Sequence, residues 1–167
     1  ANQGVDIVRL DAVPYIWKEM GTSCRNLPQV HTIVRMMRMI GEIVCPSVVL
    51  LGEVVMEPEK VVPYFGTIEK PECHMLYNVT MMATTWNTVA TRDTRLLRMQ
   101  LDIMNNLPQE YTFLNYLRCH DDIGWGLDFQ TLSGWGMQEV PHKRYLNDFF
   151  TGKIAESVSR GELYNED

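Results

Sequence analysis

The sequence predicts an α/β fold built on a parallel sheet, and three observations support this class. Short strands rich in β-branched residues alternate with helical segments in the order β-α-β-α-β-α-β. One of these strands, SVVLLGEVV, is a continuous apolar run, which is typical of a strand buried on both faces of a sheet. The 167 residues, of which 46% are hydrophobic, suffice for a sizeable core.

The elements are expected in the following order along the chain. Strands are predicted over residues 5–13, 47–55, 73–79 and 111–119. Helices are predicted over residues 28–44, where apolar residues recur at helical spacing, and over residues 57–65. One long helix is expected over residues 81–107, with Thr80 as its N-cap and Pro108 at its end. From residue 123 onward the chain is rich in loops, with a helical stretch near KRYLNDFF.

Charge and cysteine spacing argue against several classes of function. The net charge of −6 disfavours a nucleic-acid binder or a binder of anionic membranes, because both partners select for positive charge. No apolar run reaches the roughly 18 residues that span a bilayer. The four cysteines contain no CxxC pair, which favours free thiols over a zinc site or a disulfide framework. Reducing surroundings and a cytoplasmic location are therefore expected, with secretion left open.

Acidic residues follow three of the four predicted strands. Asp11 and Glu53 lie at the ends of the first two strands, and Asp121 lies at the end of the fourth. Ligands bind at the carboxyl ends of parallel strands, so these three carboxylates are expected to converge on one pocket. Arg9 shares a strand face with Asp11, two residues away. A single acid here would more often cap a helix or be solvated, but the set together favours a functional site.

Converging carboxylates suit either metal binding or sugar chemistry. A metal site would require a further ligand near a carboxylate pair, and only His120 is available, so no metal is expected. Glycosidic chemistry uses every member of the set. One carboxylate attacks the anomeric carbon, a second protonates the leaving oxygen, and a third favours the oxocarbenium-like transition state. Sugar chemistry is therefore the better interpretation, and it requires no cofactor.

Three segments, GVDIVRLDAV, LLGEVV and YLRCHDDIGW, resemble consecutive motifs of the α-amylase superfamily of glycoside hydrolases and transferases. Other segments, among them DAVPYIWKEMGTSCRNLPQVHTIVR and HKRYLNDFF, are similar to the amylosucrases, which use sucrose to make α-1,4-glucan. The resemblance implies a partial (β/α)₈ TIM barrel over residues 1–122, containing strands 4 to 7 and their helices. Residues 123–167 would then begin an insertion after strand 7.

The resemblance also implies a role for each acidic residue. Asp11 would be the nucleophile that forms a β-glucosyl-enzyme ester, and Glu53 would be the acid and then the base. Asp121 would grip sugar hydroxyls and stabilise the transition state. Asp122 would shape the acceptor subsite. The further residues implied to contact substrate or to orient the site are Arg9, His120, Pro14, Tyr15 and Val55.

The function implied by the resemblance is that of a retaining α-transglucosidase, which cleaves sucrose and transfers glucose to an α-glucan. Its partners would be sucrose and α-glucan oligosaccharides. A sucrose hydrolase, an α-amylase-type α-glucosidase and a non-catalytic carbohydrate-binding fragment remain as alternatives. Four strands cannot close a barrel, so the isolated chain is expected to self-associate through its open sheet edges and to be inactive.

Overall fold

The computed structural model describes residues 3–56, 58–121 and 123–163. Its strands are β1 (Ile7–Leu10), β2 (Val49–Gly52), β3 (Met75–Tyr77) and β4 (Thr112–Leu114). Its α-helices are α1 (Pro28–Val44), α2 (Pro58–Val61), α3 (Val79–Thr91), α4 (Arg95–Asn105), α5 (Phe129–Gly134) and α6 (Glu139–Phe150). Two 3₁₀ segments cover Val13–Tyr15 and Val62–Phe65. None of the helices in these ranges has the length and apolar character needed to cross a bilayer.

The four strands form one parallel sheet in chain order, which confirms the predicted α/β class and its parallel sheet. The strands are shorter than expected, and the error is largest for the predicted strand over residues 111–119. Its pairing ends where Tyr77 lies opposite Leu114, because β3 itself ends there. In the described part of the chain no other strand lies beside β4, so nothing extends its ladder.

The long helix predicted over residues 81–107 is two helices, α3 and α4. The interruption lies at Arg92, whose φ of 58° is left-handed and cannot continue a right-handed helix. Asp93 precedes α4, and its Oδ1 accepts a hydrogen bond from the backbone N–H of Arg95, the first helical residue, at 3.0 Å. Thr80 lies inside α3, so the prediction that it caps the helix is wrong. The predicted helices over residues 28–44 and near KRYLNDFF are confirmed. The helix predicted over residues 57–65 is a short α-helix followed by a 3₁₀ segment, and Glu57 lies outside the described residues.

The chain forms two compact units. The first unit, Ala1–Val79 and Leu107–Asn115, contains the sheet with α1 and α2. Its buried core comprises Val13, Val30, Val34, Val54, Val61, Tyr64, Phe65, Cys73 and Leu76. The second unit, Thr80–Asn106 and Tyr116–Asp167, is helical and has its own core of Ala83, Ala90, Leu96, Leu127, Leu132 and Leu146. The division of the chain into a barrel part and an insertion at residue 122 stays a prediction.

The first unit buries a glutamate, Glu72, beneath α1. Its side chain is fully buried and contacts His31 Nδ1 at 2.8 Å and Arg35 Nη2 at 3.0 Å. Arg38 Nη1 donates to the backbone carbonyl of the same residue at 3.2 Å. Burial, reinforced by the nearby charge of Glu72, raises the pKa of Tyr64 to about 12. These contacts attach α1 to the segment that leads into β3.

Candidate functional site

The carboxyl ends of β1 and β2 bring three of the predicted site residues together. Arg9 lies in β1, Asp11 follows its last residue, and Glu53 directly follows β2. The parallel register pairs Leu10 with Gly52, so the two carboxylates leave the sheet at the same level. The ladder continues one step further, since the backbone N–H of Glu53 donates to the carbonyl of Leu10 at 3.0 Å. The predicted placement of these three residues at the strand ends is therefore observed.

Arg9 bridges the two carboxylates. Its Nη1 donates to Asp11 Oδ1 at 2.6 Å, and its Nη2 lies 2.6 Å from Glu53 Oε1. The second contact is an ion pair without a well-aligned hydrogen bond, because Nη2 is buried but makes no such bond. Burial alone would lower the pKa of Arg9, but the hydrogen bond to Asp11 and the attraction of Glu53 outweigh it and raise that pKa. One permanently charged guanidinium thus holds both acids.

The turn after Asp11 orients Glu53 from the other side. Ala12 has φ 44° and ψ 44°, a left-handed conformation that costs an L-residue roughly 1–2 kcal/mol. Its backbone N–H donates to Glu53 Oε2 at 3.1 Å. Each carboxylate oxygen of Glu53 therefore has its own partner, one on Arg9 and one on the backbone. Sequence reasoning missed Ala12, because alanine carries no signal for a left-handed turn.

The two acids differ in their access to solvent. The side chain of Glu53 is 11% exposed, whereas that of Asp11 is 68% exposed. The exposed carboxylate of Asp11 can approach an atom of a bound molecule. The buried carboxylate of Glu53 is held by Arg9 and by the backbone of Ala12, so its orientation is fixed. The pair therefore offers two carboxyl groups with different freedom at one place, as acid and nucleophile roles require.

Gly52, next to Glu53, is closely packed. A Cβ built on Gly52 would lie 2.7 Å from Cys73 Sγ and 2.9 Å from a methyl carbon of Leu76, closer than real contacts allow. A side chain here would collide with the buried side chains of Cys73 and Leu76, one of which would have to shift. This packing explains the GE pair at the end of β2, and the sequence pattern gave no sign of it.

Two further predicted site residues surround Arg25, which sequence reasoning did not select. The ring of Tyr15 is half exposed and lies 5.7 Å from the guanidinium carbon of Arg25. Arg25 Nη2 donates to the backbone carbonyl of the exposed residue Val55 at 3.3 Å. Pro14 is fully buried, which leaves its side chain no surface for the predicted sugar contact.

Asp121 and His120 belong to the second unit. Because β4 ends at Leu114, the prediction that the fourth strand ends at Asp121 is wrong. Both side chains are 61% exposed, and His120 Nε2 lies 3.2 Å from Asp121 Oδ1. The convergence of Asp121 with Asp11 and Glu53 stays a prediction. Asp122 lies outside the described residues.

A cavity of about 1020 Å³ opens within the second unit. Its aromatic lining consists of Trp86, Trp125 and Phe150, with Phe150 packed against both indoles at 5.3 and 5.7 Å between centroids. Both indole N–H groups are already used, since Trp86 donates to the carbonyl of Leu117 and Trp125 to Asn147 Oδ1, each at 2.7 Å. Trp86 is half-buried, so it contributes both to the packing of this unit and to the cavity wall. Among the polar lining residues are Arg118, Asp121, Lys143, Thr151, Ser159 and Arg160.

Comparison with known proteins identifies relatives, although no family model matches the chain. The chain is 32% identical over 123 residues to the glucosylglycerate phosphorylase of Spirochaeta thermophila, covering 74% of this chain and 21% of that protein. It is 35% identical over 124 residues to the trehalose synthase of Thermus thermophilus, covering 74% of this chain and 13% of that protein. The chain therefore spans about a fifth or less of these relatives.

A solved structure shares the fold. The sucrose 6F-phosphate phosphorylase from Thermoanaerobacter thermosaccharolyticum superposes with a TM-score of 0.64 at 24% identity, over 99% of this chain and 30% of that one. The four parallel strands thus match part of a known catalytic domain. Together the comparisons relate the chain to carbohydrate-active enzymes of the α-amylase superfamily, among them glucoside phosphorylases and trehalose synthases. They do not single out the amylosucrases.

Proposed function

We propose that this chain supplies the nucleophile and the acid/base of a retaining enzyme that transfers glucosyl groups from sucrose to an α-glucan. The observation that carries the proposal is the bridge from Arg9 to Asp11 and Glu53 at the ends of adjacent parallel strands. Retaining enzymes require two carboxyl groups only about 5–5.5 Å apart. A guanidinium in contact with both acids is suited to hold them at such a short separation.

In the proposed reaction, a carboxylate oxygen of Asp11 attacks the anomeric carbon of the glucosyl group. Glu53 gives its proton to the glycosidic oxygen, so the bond to fructose breaks and a glucosyl ester of Asp11 remains. Glu53, now ionised, removes the proton from an acceptor hydroxyl, which attacks the ester carbon. The transferred glucose leaves with its original anomeric configuration, because two inversions have occurred.

The contacts of Arg9 and Ala12 match the charges that Asp11 and Glu53 carry once the glucosyl ester has formed. While Asp11 is an ester it carries no charge, and Arg9 then remains paired with Glu53, which has become ionised. The N–H of Ala12 stabilises the same carboxylate and keeps it aimed. Both contacts stabilise the ionised form of Glu53, which the second step requires as its base.

The remaining site residues have roles that rest on the family resemblance. We assign Asp121 and His120 to the hydroxyls of the transferred sugar, Asp122 to the acceptor region, and Tyr15 and Val55 to the sugar face. The aromatic cavity of the second unit supports a sugar-binding role for that unit. Its indoles have no spare N–H to offer and present apolar ring surface, which suits the C–H-rich face of a pyranose.

A second candidate is phosphorolysis, in which phosphate rather than a sugar attacks the glucosyl ester. The relatives named glucosylglycerate phosphorylase favour it, as do the three cationic residues Arg118, Lys143 and Arg160 that line the cavity. Simple hydrolysis of sucrose or of another α-glucoside is the third outcome, with water as the acceptor. All three reactions share the same glucosyl ester and differ only in what resolves it.

Product analysis of the full-length protein with sucrose separates these reactions. Transfer yields fructose and a growing glucan, and hydrolysis yields equal glucose and fructose. Phosphorolysis requires added inorganic phosphate and yields glucose 1-phosphate. Asp11→Asn should abolish all three while leaving the fold intact, and retention of most sucrose cleavage in this variant would contradict the assignment of the nucleophile.

The division of labour between the two acids has its own test. Glu53→Gln should lose activity on sucrose but keep turnover on glucosyl fluoride, whose leaving group needs no proton. Asp11→Asn should lose activity on both substrates. If Glu53→Gln lost both equally, Glu53 would not be the acid.

We also propose that the isolated chain self-associates and is inactive by itself. Val5, Ile7 and Val8, in and next to β1, are exposed apolar side chains, and β1 pairs only with β2 in the described part of the chain. An open edge with apolar side chains favours association. Light scattering after size exclusion should show an assembly larger than a monomer, and a clean monomer at high micromolar concentration would contradict this. A fructose-release assay on the isolated chain should give no signal.

A further inference from the structure

We propose that Cys119, His120 and Asp121 form a binding site for a soft divalent cation such as Zn²⁺, which blocks the site residues it occupies. The site would act as an inhibitory one and not as a source of a catalytic metal. Metal binding stands on the geometry alone, whereas the blocking effect rests on the sugar-binding roles proposed above for two of these residues.

The three ligand atoms are already close together. A thiol sulfur, an imidazole nitrogen and a carboxylate oxygen lie within 4.8 Å of one another, and His120 Nε2 is 3.2 Å from Asp121 Oδ1. Tetrahedral Zn²⁺ with bonds of about 2.0–2.3 Å places its ligand atoms roughly 3.3–3.8 Å apart. The widest pair in the cluster must therefore contract by up to about 1.5 Å. Two of its side chains are 61% exposed, so they have the freedom to adjust.

The donor set selects the class of metal. Sulfur and imidazole ligands favour Zn²⁺, Cu⁺ and similar cations over Mg²⁺ and Ca²⁺, which prefer oxygen ligands. Three protein ligands leave the fourth position of a tetrahedral ion open to water. Among the described residues this is the only group of three whose ligand atoms meet in this way.

The thiol of Cys119 is more available than the other three. Cys24 Sγ donates to the carbonyl of Glu19 at 3.4 Å, and Cys45 Sγ lies 3.7 Å from Ser47 Oγ. Cys73 is buried, and burial raises its pKa to about 12. Within the described ranges, Cys119 is the partly exposed thiol for which no hydrogen bond is found. It is thus the cysteine best placed to become a metal-bound thiolate.

The surroundings of the cluster both favour and oppose a cation. Asp121 lines the cavity of the second unit, which gives an ion an aqueous approach. The carboxylate supplies one negative charge and the thiolate a second, while Arg118, the preceding residue, opposes binding as a cation. Ligand thiols bind as thiolates, so binding releases a proton and the affinity should rise with pH.

Cobalt titration of the chain tests binding without any assay of activity. Co²⁺ should produce a near-ultraviolet thiolate charge-transfer band, and added Zn²⁺ should displace it whereas Mg²⁺ should not. Cys119→Ser should remove the band. Cys45→Ser is the matched control, since Cys45 is another partly exposed thiol, and it should keep the band. Absence of a band in the parent chain, or its persistence in Cys119→Ser, would overturn the site.

Zinc inhibition of the full-length protein tests the blocking effect. Zn²⁺ should abolish sucrose cleavage, and a chelator should restore it. Cys119→Ser should keep its activity and need roughly tenfold or more Zn²⁺ for the same inhibition, because loss of even an outer-shell contact costs 10–100-fold in metal affinity. A cobalt band without zinc inhibition would overturn the blocking effect while leaving the metal site standing. Failure of Asp11→Asn to abolish activity would instead contradict the proposed function alone.

Discussion

Among the described residues of the first unit, two glutamates are buried, and they lie in contrasting surroundings. Glu72 is fully enclosed and contacts His31 and Arg35, which pair with no other acid in the described part of the chain. Glu53, whose side chain is 11% exposed, shares its arginine with Asp11, whose side chain is open to solvent. A buried carboxylate with an arginine partner is therefore not by itself a sign of function. What distinguishes the candidate site is a shared cation, a second acid and access from outside.

The two regions also reach their geometry in different ways. Glu53 is placed by the register of β1 and β2, so its position follows from backbone hydrogen bonds. Glu72 is placed by side chains of α1, far away along the chain. We therefore expect that loss of the Glu72 charge mainly lowers the free energy of unfolding. Loss of the charge of Asp11 or Glu53 should mainly lower activity. Unfolding measurements on single variants distinguish the two regions.

Glu72→Ala should lower the free energy of unfolding by about 3 kcal/mol. The substitution leaves Arg35 and His31 beside a cavity without their counter-charge, and Arg35 is partly exposed, which keeps the loss at the low end for buried pairs. Urea unfolding of the chain measures the change. Glu42→Ala is the matched control, because its i,i+4 pair with Arg38 is more exposed and should be worth roughly 0.3–0.5 kcal/mol.

Glu53→Gln should lower the free energy of unfolding by about 1–2 kcal/mol, less than the loss of Glu72. The amide keeps an oxygen for the N–H of Ala12, and Arg9 keeps its bond to Asp11. The same urea experiment gives the value. A loss as large as that of Glu72→Ala would show that the contacts of Glu53 stabilise the fold in the way that those of Glu72 do.

His74 should make the stability of the first unit sensitive to acid. Its Nδ1 accepts the backbone N–H of Leu50 at 2.9 Å, so the folded state requires the neutral ring. Burial, with Arg38 nearby, lowers the pKa of His74 below its ordinary value of 6.5. The unfolded chain then binds the proton more readily than the folded one. Stability should therefore fall as the pH drops through that ordinary value.

Denaturant midpoints between about pH 5 and pH 8 measure this effect. His74→Gln should flatten the slope, because glutamine can accept a hydrogen bond but does not titrate. Part of the slope should remain, since burial also lowers the pKa of His142 in the second unit. An equally steep slope in His74→Gln would contradict the assignment.

Ala12→Gly should raise the free energy of unfolding by about 0.5–1 kcal/mol. Glycine removes the left-handed cost of roughly 1–2 kcal/mol, and its greater freedom in the unfolded chain offsets part of that gain. Ala90→Gly in α3 is the control with the opposite sign, because its backbone is helical, and it should lose about 1 kcal/mol. Equal losses in both variants would mean that the turn after Asp11 is not strained.

Asp11→Asn should have the smallest effect on stability, within about 0.5 kcal/mol of the parent chain. Its side chain is 68% exposed, and an exposed ion pair contributes little. Thermal or urea unfolding checks this in the same chain that is assayed for activity. A loss of more than about 1 kcal/mol would mean that Asp11 is part of the scaffold, and any loss of activity would then be ambiguous.

Sequence patterns predicted those features that depend on local periodicity and strand order. The apolar run around β2 and the stripe over residues 28–44 indicated a buried strand and a helix, and both are present. The acids after β1 and β2 could be placed because a parallel register aligns strand ends. The helix predicted over residues 81–107 was wrong because its apolar spacing continues across Arg92, where the backbone turns left-handed.

By itself, then, the sequence determined the parallel sheet, its strand order and the position of Asp11 and Glu53 at one edge, since these follow from residue spacing and chain order. Only the tertiary structure decided which buried acid is enclosed and which is shared, because burial and ion pairing depend on side chains far apart in sequence. Arg9 could equally have been a surface residue until β2 placed Glu53 beside it. The turn at Ala12 and the close packing around Gly52 likewise involve residues distant in sequence. The intrinsic propensities of alanine and glycine do not indicate these contacts.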